Sequence, residues 1–140
     1  MAIPSKLTLE VVTPDKLLIR EEVDEVQVPG TEGYLGVLPG HTPLLATLKI
    51  GELWYRKGQD RTYLAISGGF VEILPDRVTV LAQVGERAHD IDVARAEAAK
   101  RRAEERLARP SLDMDVERAR ISLLKSLIRI QVASRARTRV

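Results

Sequence analysis

The spacing of apolar residues changes once along the chain, in the stretch from Gly85 to Ala96. Before it, apolar residues recur at every second position between turns rich in Gly and Pro, which is typical of β-strands. After it, they recur every three or four positions and glycine is absent, which is typical of amphipathic helices. The pattern therefore predicts a β domain of residues 1–87 and a helical domain of residues 88–140.

The first part contains many short apolar segments at regular spacing, with no helical period between them. We predict strands at Leu7–Val12, Leu17–Arg20, Val26–Val28, Gly51–Lys57, Arg61–Ser67, Phe70–Leu74 and Val78–Ala82, and Leu44–Ala46 is a further apolar segment. Pro29–Gly33 is predicted as a loop, and Pro39-Gly40 as a type II turn, because glycine supplies the positive φ of its third position. Gly68-Gly69 indicates either a bulge or a close approach of another backbone. Such a series of strands is typical of an antiparallel sandwich or barrel.

Four carboxylates, Glu21, Glu22, Asp24 and Glu25, lie between the second and third predicted strands. Because neighbouring carboxylates repel, we interpret them as a solvated sheet edge that resists further strand pairing, in preference to a metal site. His41 has no partner histidine, cysteine or serine at a recognisable spacing, so we expect it to be a hydrogen-bonded structural residue. This half contains no nucleophile motif or glycine-rich phosphate loop, which argues against a small β-barrel enzyme.

The second part predicts two helices. Asp90 or Asp92 is placed to cap the first helix, which continues to Arg109 and ends at Pro110. A narrow stripe of small residues on this helix lets another helix approach closely; it consists of Ala96, Ala99, Ala103 and Leu107.

Asp113 or Asp115 is placed to cap the second helix, which runs to about Ala133 and is followed by a basic tail, Ser134–Val140, that we expect to be disordered. The short connection predicts an antiparallel hairpin. Its apolar stripe is wider than the alanine stripe can cover, so part of it faces the β domain or another protein. The stripe consists of Val116, Ala119, Leu123, Leu127 and Ile130, widened by Ile121, Leu124, Ile128 and Val132.

The net charge of +2 hides an asymmetry between the two parts. Residues 1–87 carry 9 Lys/Arg and 12 Asp/Glu, whereas residues 88–140 carry 13 and 8, so the helical part is basic by +5. A basic surface indicates an anionic partner, which is a nucleotide, a nucleic acid or an acidic protein face. The acidic first half and the lack of aromatic residues in the helices count against a nucleic-acid-binding module, which we keep as the alternative function.

The predicted helices each carry a cationic face. Arg95, Arg102 and Arg106 share a face of the first helix, with Asp92 beneath Arg95. If this face adjoins the cationic face of the second helix, the guanidiniums suit the phosphates of a nucleotide. The face of the second helix consists of Arg118, Ser122, Lys125 and Arg129.

The segment Gly33–Leu44 resembles the signature loop of the epsilon subunits of F-type ATP synthases, and Ser67–Glu72 and Val78–Leu81 are similar to the strands that follow it there. The resemblance implies a β-sandwich that docks on the gamma subunit and the c-ring, as part of the rotor of a proton-translocating enzyme. It also implies a location at the cytoplasmic face of the bacterial inner membrane, with the membrane reached only through the c-ring. It implies no catalytic residue, no metal, no required cofactor and no nucleic-acid partner. Its candidate subunit contacts are Gly36, Leu38, Pro39, His41, Arg118 and Arg120.

The same resemblance implies a mobile hairpin that either packs on the sandwich or extends along gamma toward the alpha/beta catalytic head and inhibits ATP hydrolysis. In bacterial members the hairpin binds ATP as a regulatory ligand through the pattern Ile-Asp-x-x-Arg-Ala, which Ile91–Ala96 matches. Lys125 stands where ATP-binding members have arginine, so a point charge replaces a forked donor. Gly85–Ala96 is then also the expected hinge. The candidate ATP-binding residues are Glu86, Ile91, Asp92, Arg95, Ala96, Arg102, Lys125 and Arg129.

Overall fold

The computed structural model describes residues 3–137 of the 140-residue chain. Its internal contacts divide the chain into two compact units that meet between Glu86 and Arg87, one residue before the boundary predicted from the sequence. The strands lie in the first unit, apart from the last residue of the final strand, and the α-helices lie in the second.

The first unit is built from seven strands that form one sheet. The strands are β1 (Leu7–Val12), β2 (Leu17–Val23), β3 (Glu25–Gly30), β4 (Gly33–Val37), β5 (Leu44–Lys57), β6 (Asp60–Leu74) and β7 (Arg77–Arg87). Their order in the sheet is β2-β1-β7-β6-β5-β3-β4. Four pairs are antiparallel, namely β1–β2, β3–β4, β3–β5 and β5–β6.

One pair departs from the antiparallel pattern. β1 runs parallel to β7, with Leu9 opposite Val78 and Val11 opposite Val80. Strands that follow each other through a short turn must be antiparallel, but β1 and β7 come from opposite ends of the unit and are free of that constraint. The sandwich that the sequence predicts therefore contains one parallel pair.

The sheet folds over on itself around a single core. β2 and β3 stand far apart in the sheet order, yet only Asp24 separates them in the chain. The N–H of Asp24 donates to the carbonyl oxygen of Arg56 at 2.8 Å, and Lys57 Nζ lies 2.6 Å from Glu21 Oε2, so the edge strand β2 meets β5. Fully buried residues from both layers then share one core, among them Leu7, Leu9, Val11, Val26, Val28, Leu53, Leu64 and Ile66.

β5 and β6 are continuous strands where the sequence pattern predicts two segments each. Gly68 and Gly69, with φ of 72° and 119°, do not end β6. A Cβ atom on Gly69 would lie 2.0 Å from the carbonyl oxygen of Leu81, so another backbone does pass close to this glycine. The glycine pair therefore allows a close approach of β7 to a strand that continues through it.

The predicted loop Pro29–Gly33 is instead a tight hairpin, because β3 and β4 extend into it and leave a two-residue turn. Gly33 has φ of 133°, and the N–H of Thr31 donates to the carbonyl oxygen of Thr47 at 3.0 Å. Proline usually argues against a strand since it has no N–H for the ladder. Here the β3–β5 register shifts between Gln27 and Gly30, which accommodates the proline.

In the second unit, a 3-10 turn at Ala88–Asp90 precedes two helices, α1 (Val93–Ala108) and α2 (Val116–Arg137). The second aspartate of each candidate pair is the cap. Asp92 Oδ1 accepts the N–H of Arg95, and Asp115 Oδ1 accepts the N–H of Arg118, both at 3.0 Å. No helix in the described part of the chain is both long and apolar enough to cross a membrane.

The predicted disorder of the basic tail is wrong over residues 134–137. α2 continues to Arg137, four residues beyond the predicted end at Ala133. Ser134 is part of this last stretch, and its Oγ donates to the carbonyl oxygen of Gln131 at 2.6 Å. Residues 138–140 of the tail lie outside the described residues.

Small residues at seven-residue spacing form the buried seam of the hairpin. A spacing of seven keeps side chains on one face of a helix, and small side chains let two helices approach closely. The sequence pattern places Leu127 on this seam, but Leu127 is 41% exposed and its neighbour Ser126 is buried. The hydroxyl of Ser126 is satisfied by the carbonyl oxygen of Ser122 at 2.8 Å. Seam residues, each at most 4% exposed, are Ala96, Ala103, Ala119, Ser126 and Ala133.

Candidate functional site

The candidate ATP motif Ile91–Ala96 forms the beginning of α1. Ile91 and Ala96 are buried, so they hold the backbone of the motif in place. Asp92 and Arg95 are exposed, and the carboxylate of Asp92 caps the N-terminus of the helix. The start of a helix attracts anions through its free N–H groups and its dipole. Because the Asp92 carboxylate already occupies the cap, an anion at this point must bind beside it, through the guanidinium of Arg95.

The other candidate ATP-binding residues are spread over both units. Glu86 is the last residue of the first unit and is half-buried. Arg102 is exposed on α1, two helical turns beyond Arg95. On α2, Lys125 is exposed and Arg129 is half-buried. The structure thus places four cationic candidates on the hairpin, and one of them, Arg102, lines a cavity.

That cavity is an open depression of about 720 Å³ on the second half of α1. It is lined by Arg102, Glu105, Arg106, Ala108 and Arg109, and not by Asp92, Lys125 or Arg129. Two of its cationic residues, Arg106 and Arg109, are not among the candidate ATP-binding residues, although the sequence pattern places Arg106 on the same helix face as Arg102. The spacing from Arg102 to Arg106 to Arg109, of four and then three residues, is the signal that the sequence offered.

The candidate contact loop on the sandwich has the predicted turn. Gly40 has φ of 86°, and the N–H of His41 donates to the carbonyl oxygen of Leu38 at 3.2 Å, as in a type II turn. The N–H of Gly40 donates to the carbonyl oxygen of Pro75 at 2.7 Å, which ties the turn to the β6–β7 connection. His41 Nδ1 lies 2.6 Å from the carbonyl oxygen of Thr42, in agreement with a hydrogen-bonded histidine.

The same loop presents an open surface. The side chain of Leu38 is exposed, and a Cβ atom on Gly36 would meet nothing within 4 Å. Pro39, which follows Leu38, is half-buried and fixes the turn. The loop therefore combines a rigid backbone with an uncovered apolar tip.

The two candidate contact arginines of α2 lie in its first turns, and both are exposed. The backbone of Arg118 belongs to the Asp115 cap, which leaves its guanidinium available to a partner. Arg120 Nη1 lies 3.9 Å from Glu117 Oε2, a long and exposed pair that contributes little to stability.

A second apolar surface lies on the outer face of the sandwich, and the sequence analysis missed it. Leu45 on β5, Phe70 on β6 and Leu81 on β7 are 71%, 53% and 53% exposed. Thr47 pairs with Phe70, which puts Leu45 diagonally across from that ring, and Val12 of β1 pairs with Leu81. These residues form an apolar patch, here called the outer patch, that crosses four adjacent strands. The sequence pattern does not reveal this patch, because each of its residues occupies a strand position that the alternation of apolar and polar residues predicts to face solvent.

The acidic cluster is the solvated sheet edge that the sequence predicts only at β2, and Asp24 and Glu25 are paired with basic residues. Arg56 Nε lies 3.0 Å from Glu25 Oε1, and Lys6 forms an ion pair with Asp24. Hydrogen bonds from Lys6 and from the N–H of Gly58 hold the pKa of Asp24 below its ordinary value. The correction has a physical reason: the fold of the sheet brings basic residues of distant strands to these carboxylates, which local sequence cannot show.

Two further members of the cluster lie on the edge strand β2. Glu21 accepts a hydrogen bond from Lys57, and this bond raises the pKa of the lysine. Glu22 is exposed, which agrees with a solvated edge at this strand. Across residues 3–137, no group of three or more His, Cys, Asp or Glu side chains is arranged to hold a metal ion.

Comparison with known proteins finds the same two parts. Residues 6–88 match the family model described as ATP synthase, Delta/Epsilon chain, beta-sandwich domain. Residues 89–134 match the model described as ATP synthase, Delta/Epsilon chain, long alpha-helix domain.

Curated relatives match along nearly their full length. The chain is 49% identical over 130 residues to the ATP synthase epsilon chain of Syntrophobacter fumaroxidans, covering 93% of this chain and 97% of the relative. It is 46% identical over 132 residues to that of Solibacter usitatus, covering 94% and 98%. It is 50% identical over 131 residues to ATP synthase epsilon chain 2 of Syntrophotalea carbinolica, covering 93% and 95%.

Two solved structures share the fold. A chain from the Euglena gracilis mitochondrial ATP synthase, in an OSCP/F1/c-ring structure, superposes with a TM-score of 0.81 at 22% identity, covering 98% of this chain and 84% of that chain. A chain from the central stalk/c-ring structure of the Tetrahymena thermophila mitochondrial ATP synthase superposes with a TM-score of 0.57 at 15% identity, covering 98% and 100%.

Proposed function

The chain belongs to the delta/epsilon-chain family of ATP synthases, and on this premise we propose that it is a non-catalytic rotor subunit in the central stalk of a proton-translocating enzyme. The observation that carries the proposal is the order of the two family matches, which follow each other over residues 6–134 on a strand unit and then a helical unit. In this role the subunit couples rotation of the c-ring to the catalytic head. It reaches the membrane only through the c-ring, at the cytoplasmic face of the bacterial inner membrane, and requires no cofactor.

The sandwich carries the stalk contacts in this proposal. The outer patch is an apolar surface of the kind that marks protein interfaces, and we assign it to the gamma subunit. The rigid loop with the exposed Leu38 at its tip is assigned to the c-ring. Both surfaces lie in the first unit, so the sandwich can hold the stalk while the hairpin moves.

Reconstitution of the complex tests the docking assignment. Phe70→Glu puts a charge in the middle of the outer patch, and we expect the variant to fold but to lose co-purification with gamma. Leu17→Glu is the matched control, because Leu17 is an apolar residue that is 51% exposed, close to the 53% of Phe70, on the edge strand β2. Assembly of Phe70→Glu as efficient as that of the wild type would remove the outer patch from the proposal.

We further propose that the hairpin inhibits ATP hydrolysis in an extended state that contacts the alpha/beta head. Support comes from the incomplete burial of α2, on which Val116, Ile121, Leu124 and Leu127 are each more than a third exposed. In a second conformation this face can be buried against another protein surface. If the two conformations differ little in free energy, a ligand whose binding contributes a few kcal/mol decides which one is populated. The basic charge of the hairpin suits an acidic surface on the head.

Deletion of residues 88–140 from the assembled complex tests the inhibition. We expect assembly to be retained and the rate of ATP hydrolysis to rise. Replacing Arg118 and Arg120 by alanine should raise hydrolysis part of the way, with the charge-neutral change Leu112→Ala as control. Unchanged hydrolysis in the deletion would rule out the inhibitory role and leave the rotor role intact.

We also propose that ATP is a regulatory ligand of the hairpin, bound by Arg95 together with Arg102 and Arg129. Asp92 positions Arg95 through the helix cap. Lys125 supplies a point charge, so restoring a fork by Lys125→Arg should tighten binding.

Thermal unfolding of the full-length protein with and without ATP tests this site. We expect ATP to raise the melting temperature, Arg95→Ala to abolish the shift and Lys125→Arg to enlarge it. Arg101→Ala is the control, because it removes one exposed arginine from α1 outside the motif. If millimolar ATP gives no shift, the motif serves as a helix cap alone. The comparisons give no support to the alternative of a nucleic-acid-binding module.

A further inference from the structure

β4 is one of the two edge strands of the sheet, and it carries no charged side chain. Its five residues read Gly-Tyr-Leu-Gly-Val, whereas the other edge strand, β2, contains Arg20, Glu21 and Glu22. Charged side chains on an edge strand oppose pairing with another chain, and a strand without them is open to it. β4 is therefore the edge of the sheet at which a further strand can add.

The backbone groups of Tyr34 and Gly36 point to the open side of β4. Tyr34 lies opposite Pro29 of β3, and proline has no N–H, so these two residues form a pair without mutual hydrogen bonds. Because the two kinds of pair alternate along the ladder, Gly36 and Gln27 form the next pair of the same kind. Within residues 3–137, Tyr34 and Gly36 make no other backbone hydrogen bond. Two N–H donors and two C=O acceptors therefore face solvent along this edge.

The side chains of these two residues leave the edge accessible. The Tyr34 ring lies back over its own sheet, with Lys49 Nζ 5.2 Å from the ring centroid and the Tyr34 hydroxyl beside Gly51. Gly36 has no side chain, and a Cβ atom there would meet nothing within 4 Å. Another backbone can therefore approach β4 without displacing any protein atom.

β4 is complementary to a second copy of itself. In an antiparallel pair centred on Leu35, Tyr34 of each copy lies opposite Gly36 of the other copy. The open N–H and C=O groups of these residues then form four hydrogen bonds between the two strands. The same pairing sets Val37 opposite Gly33, so Tyr34 and Val37 both face a residue without a side chain. No two bulky side chains compete for the same space at these positions.

Two other registers would use the same backbone groups, and both are shorter. Tyr34 opposite Tyr34, or Gly36 opposite Gly36, pairs only three of the five residues of β4, whereas pairing about Leu35 uses all five. Pairing about Leu35 also brings the two Leu35 side chains together on the side of the sheet that packs against the core. Beyond the strand, Glu32 of one copy lies opposite Leu38 of the other, which keeps the two Glu32 carboxylates apart.

We propose that two copies of this protein pair through β4, antiparallel about Leu35, so that their sheets become continuous. One short strand pair buries much less than the about 1,200 Å² at the lower limit of standard interfaces, so the dimer is weak and forms at high protein concentration. The proposal is argued from β4 and does not rest on the proposed function. Leu38 follows β4 directly, so pairing belongs to the unassembled protein if that loop binds the c-ring.

Amide hydrogen exchange of the full-length protein, followed by NMR at micromolar and at millimolar concentration, tests the pairing. We expect exchange at the N–H groups of Tyr34 and Gly36 to slow by about threefold or more at the higher concentration, the effect of pairing about two thirds of the chains. The N–H groups of Leu35 and Val37 are the internal control, because they bond to β3 and should exchange slowly at both concentrations. Sedimentation velocity at the same concentrations measures the fraction of dimer.

Gly36→Lys should abolish the dependence on concentration, because it puts a charge on the edge strand opposite Tyr34 of the other copy. Gln59→Lys is the matched control, since it adds the same charge in the exposed turn between β5 and β6. Tyr34→Lys places the charge at the other pairing position and replaces Gly36→Lys if that variant is unstable. A thermal melt of each variant, compared with the wild type, shows whether the sandwich is folded.

Three results would overturn the proposal. The first is a protein that remains monomeric at millimolar concentration. The second is a dimer in which the N–H groups of Tyr34 and Gly36 exchange as fast as they do in dilute solution. The third is a dimer that Gly36→Lys leaves intact, or that Gln59→Lys weakens equally. If Phe70→Glu alone abolishes such a dimer, its interface is the outer patch and not β4.

Discussion

Asp92 accepts a hydrogen bond from the backbone N–H of Arg95 at 3.0 Å, while the guanidinium of Arg95 has no ion pair in the described part of the chain. The two polar residues of the candidate ATP motif are therefore linked through the helix cap and not through their charges. A cap stabilises the helix whether or not a ligand is present. The stabilising role of Asp92 and the ligand-binding role proposed for Arg95 can thus be separated by mutation.

Asp92→Ala should lower the free energy of unfolding by about 1 kcal/mol, the usual effect of losing a helix N-cap. Asp92→Asn should retain most of the stability, because asparagine caps as well as aspartate does. Arg95→Ala, which leaves the cap in place, should have a small effect in the absence of ATP. Urea unfolding followed by circular dichroism at 222 nm measures all three, and equal stability of Asp92→Ala and the wild type would contradict the cap.

The cap is also an example of what sequence could predict. Asp92 and Asp115 act on residues three positions away, so their roles are encoded locally, as is the type II turn at Pro39-Gly40. The pairing of β1 with β7, the partners of Asp24 and the outer patch join residues far apart in the chain. No period or spacing carries that information.

The candidate site divides in the same way. Helix geometry predicts from the sequence that Arg95, Arg102 and Arg106 share one face. That Glu105 and Arg109 also line the cavity is seen only in the structure of the helix end. The predicted end of α2 at Ala133 is wrong, because the residues that follow it are basic but include alanine and arginine, which favour helix.

Gly69→Ala, in β6, should destabilise the sandwich much more than Gly36→Ala, in β4. The added Cβ would lie 2.0 Å from the carbonyl oxygen of Leu81, and φ at this residue is 119°. Because of this steric overlap and the positive φ, we expect the free energy of unfolding, measured by chemical denaturation, to fall by about 2 kcal/mol or more. Gly36→Ala is the control, since its Cβ would meet nothing within 4 Å and its φ is not positive. Equal stability of the two variants would show that β6 and β7 are not in close contact at Gly69.

Ala103→Leu should disturb the seam of the hairpin. Ala103 is 1% exposed, and a larger side chain at a packed position costs about 1–3 kcal/mol. Ala108→Leu, at an exposed position near the end of the same helix, adds the same atoms without a clash. Differential thermal melts of the two variants measure the effect, and a seam variant as stable as the control would mean that the helices have room for leucine between them.

The ion pair between Lys6 and Asp24 predicts an acid-dependent loss of stability. The pKa of Asp24 is lowered from its ordinary value of 3.8, first by the hydrogen bond from Lys6. A carboxylate with a depressed pKa in the folded state stabilises the fold above its unfolded pKa, and that contribution is lost as the pH falls through the folded pKa. Asp24→Asn should therefore be less stable than the wild type at pH 7, and the difference should narrow below the ordinary value of 3.8.

Urea unfolding of Asp24→Asn and the wild type at a series of pH values from neutral to strongly acidic measures this narrowing. Asp15→Asn is the matched control, because Asp15 is an exposed turn residue whose carboxylate makes no hydrogen bond or ion pair within residues 3–137. The control should follow the wild type throughout. A stability difference for Asp24→Asn that stays constant below the ordinary pKa would mean that the variant loses packing or hydrogen bonding at the β2–β3 junction, and not the charge of the carboxylate.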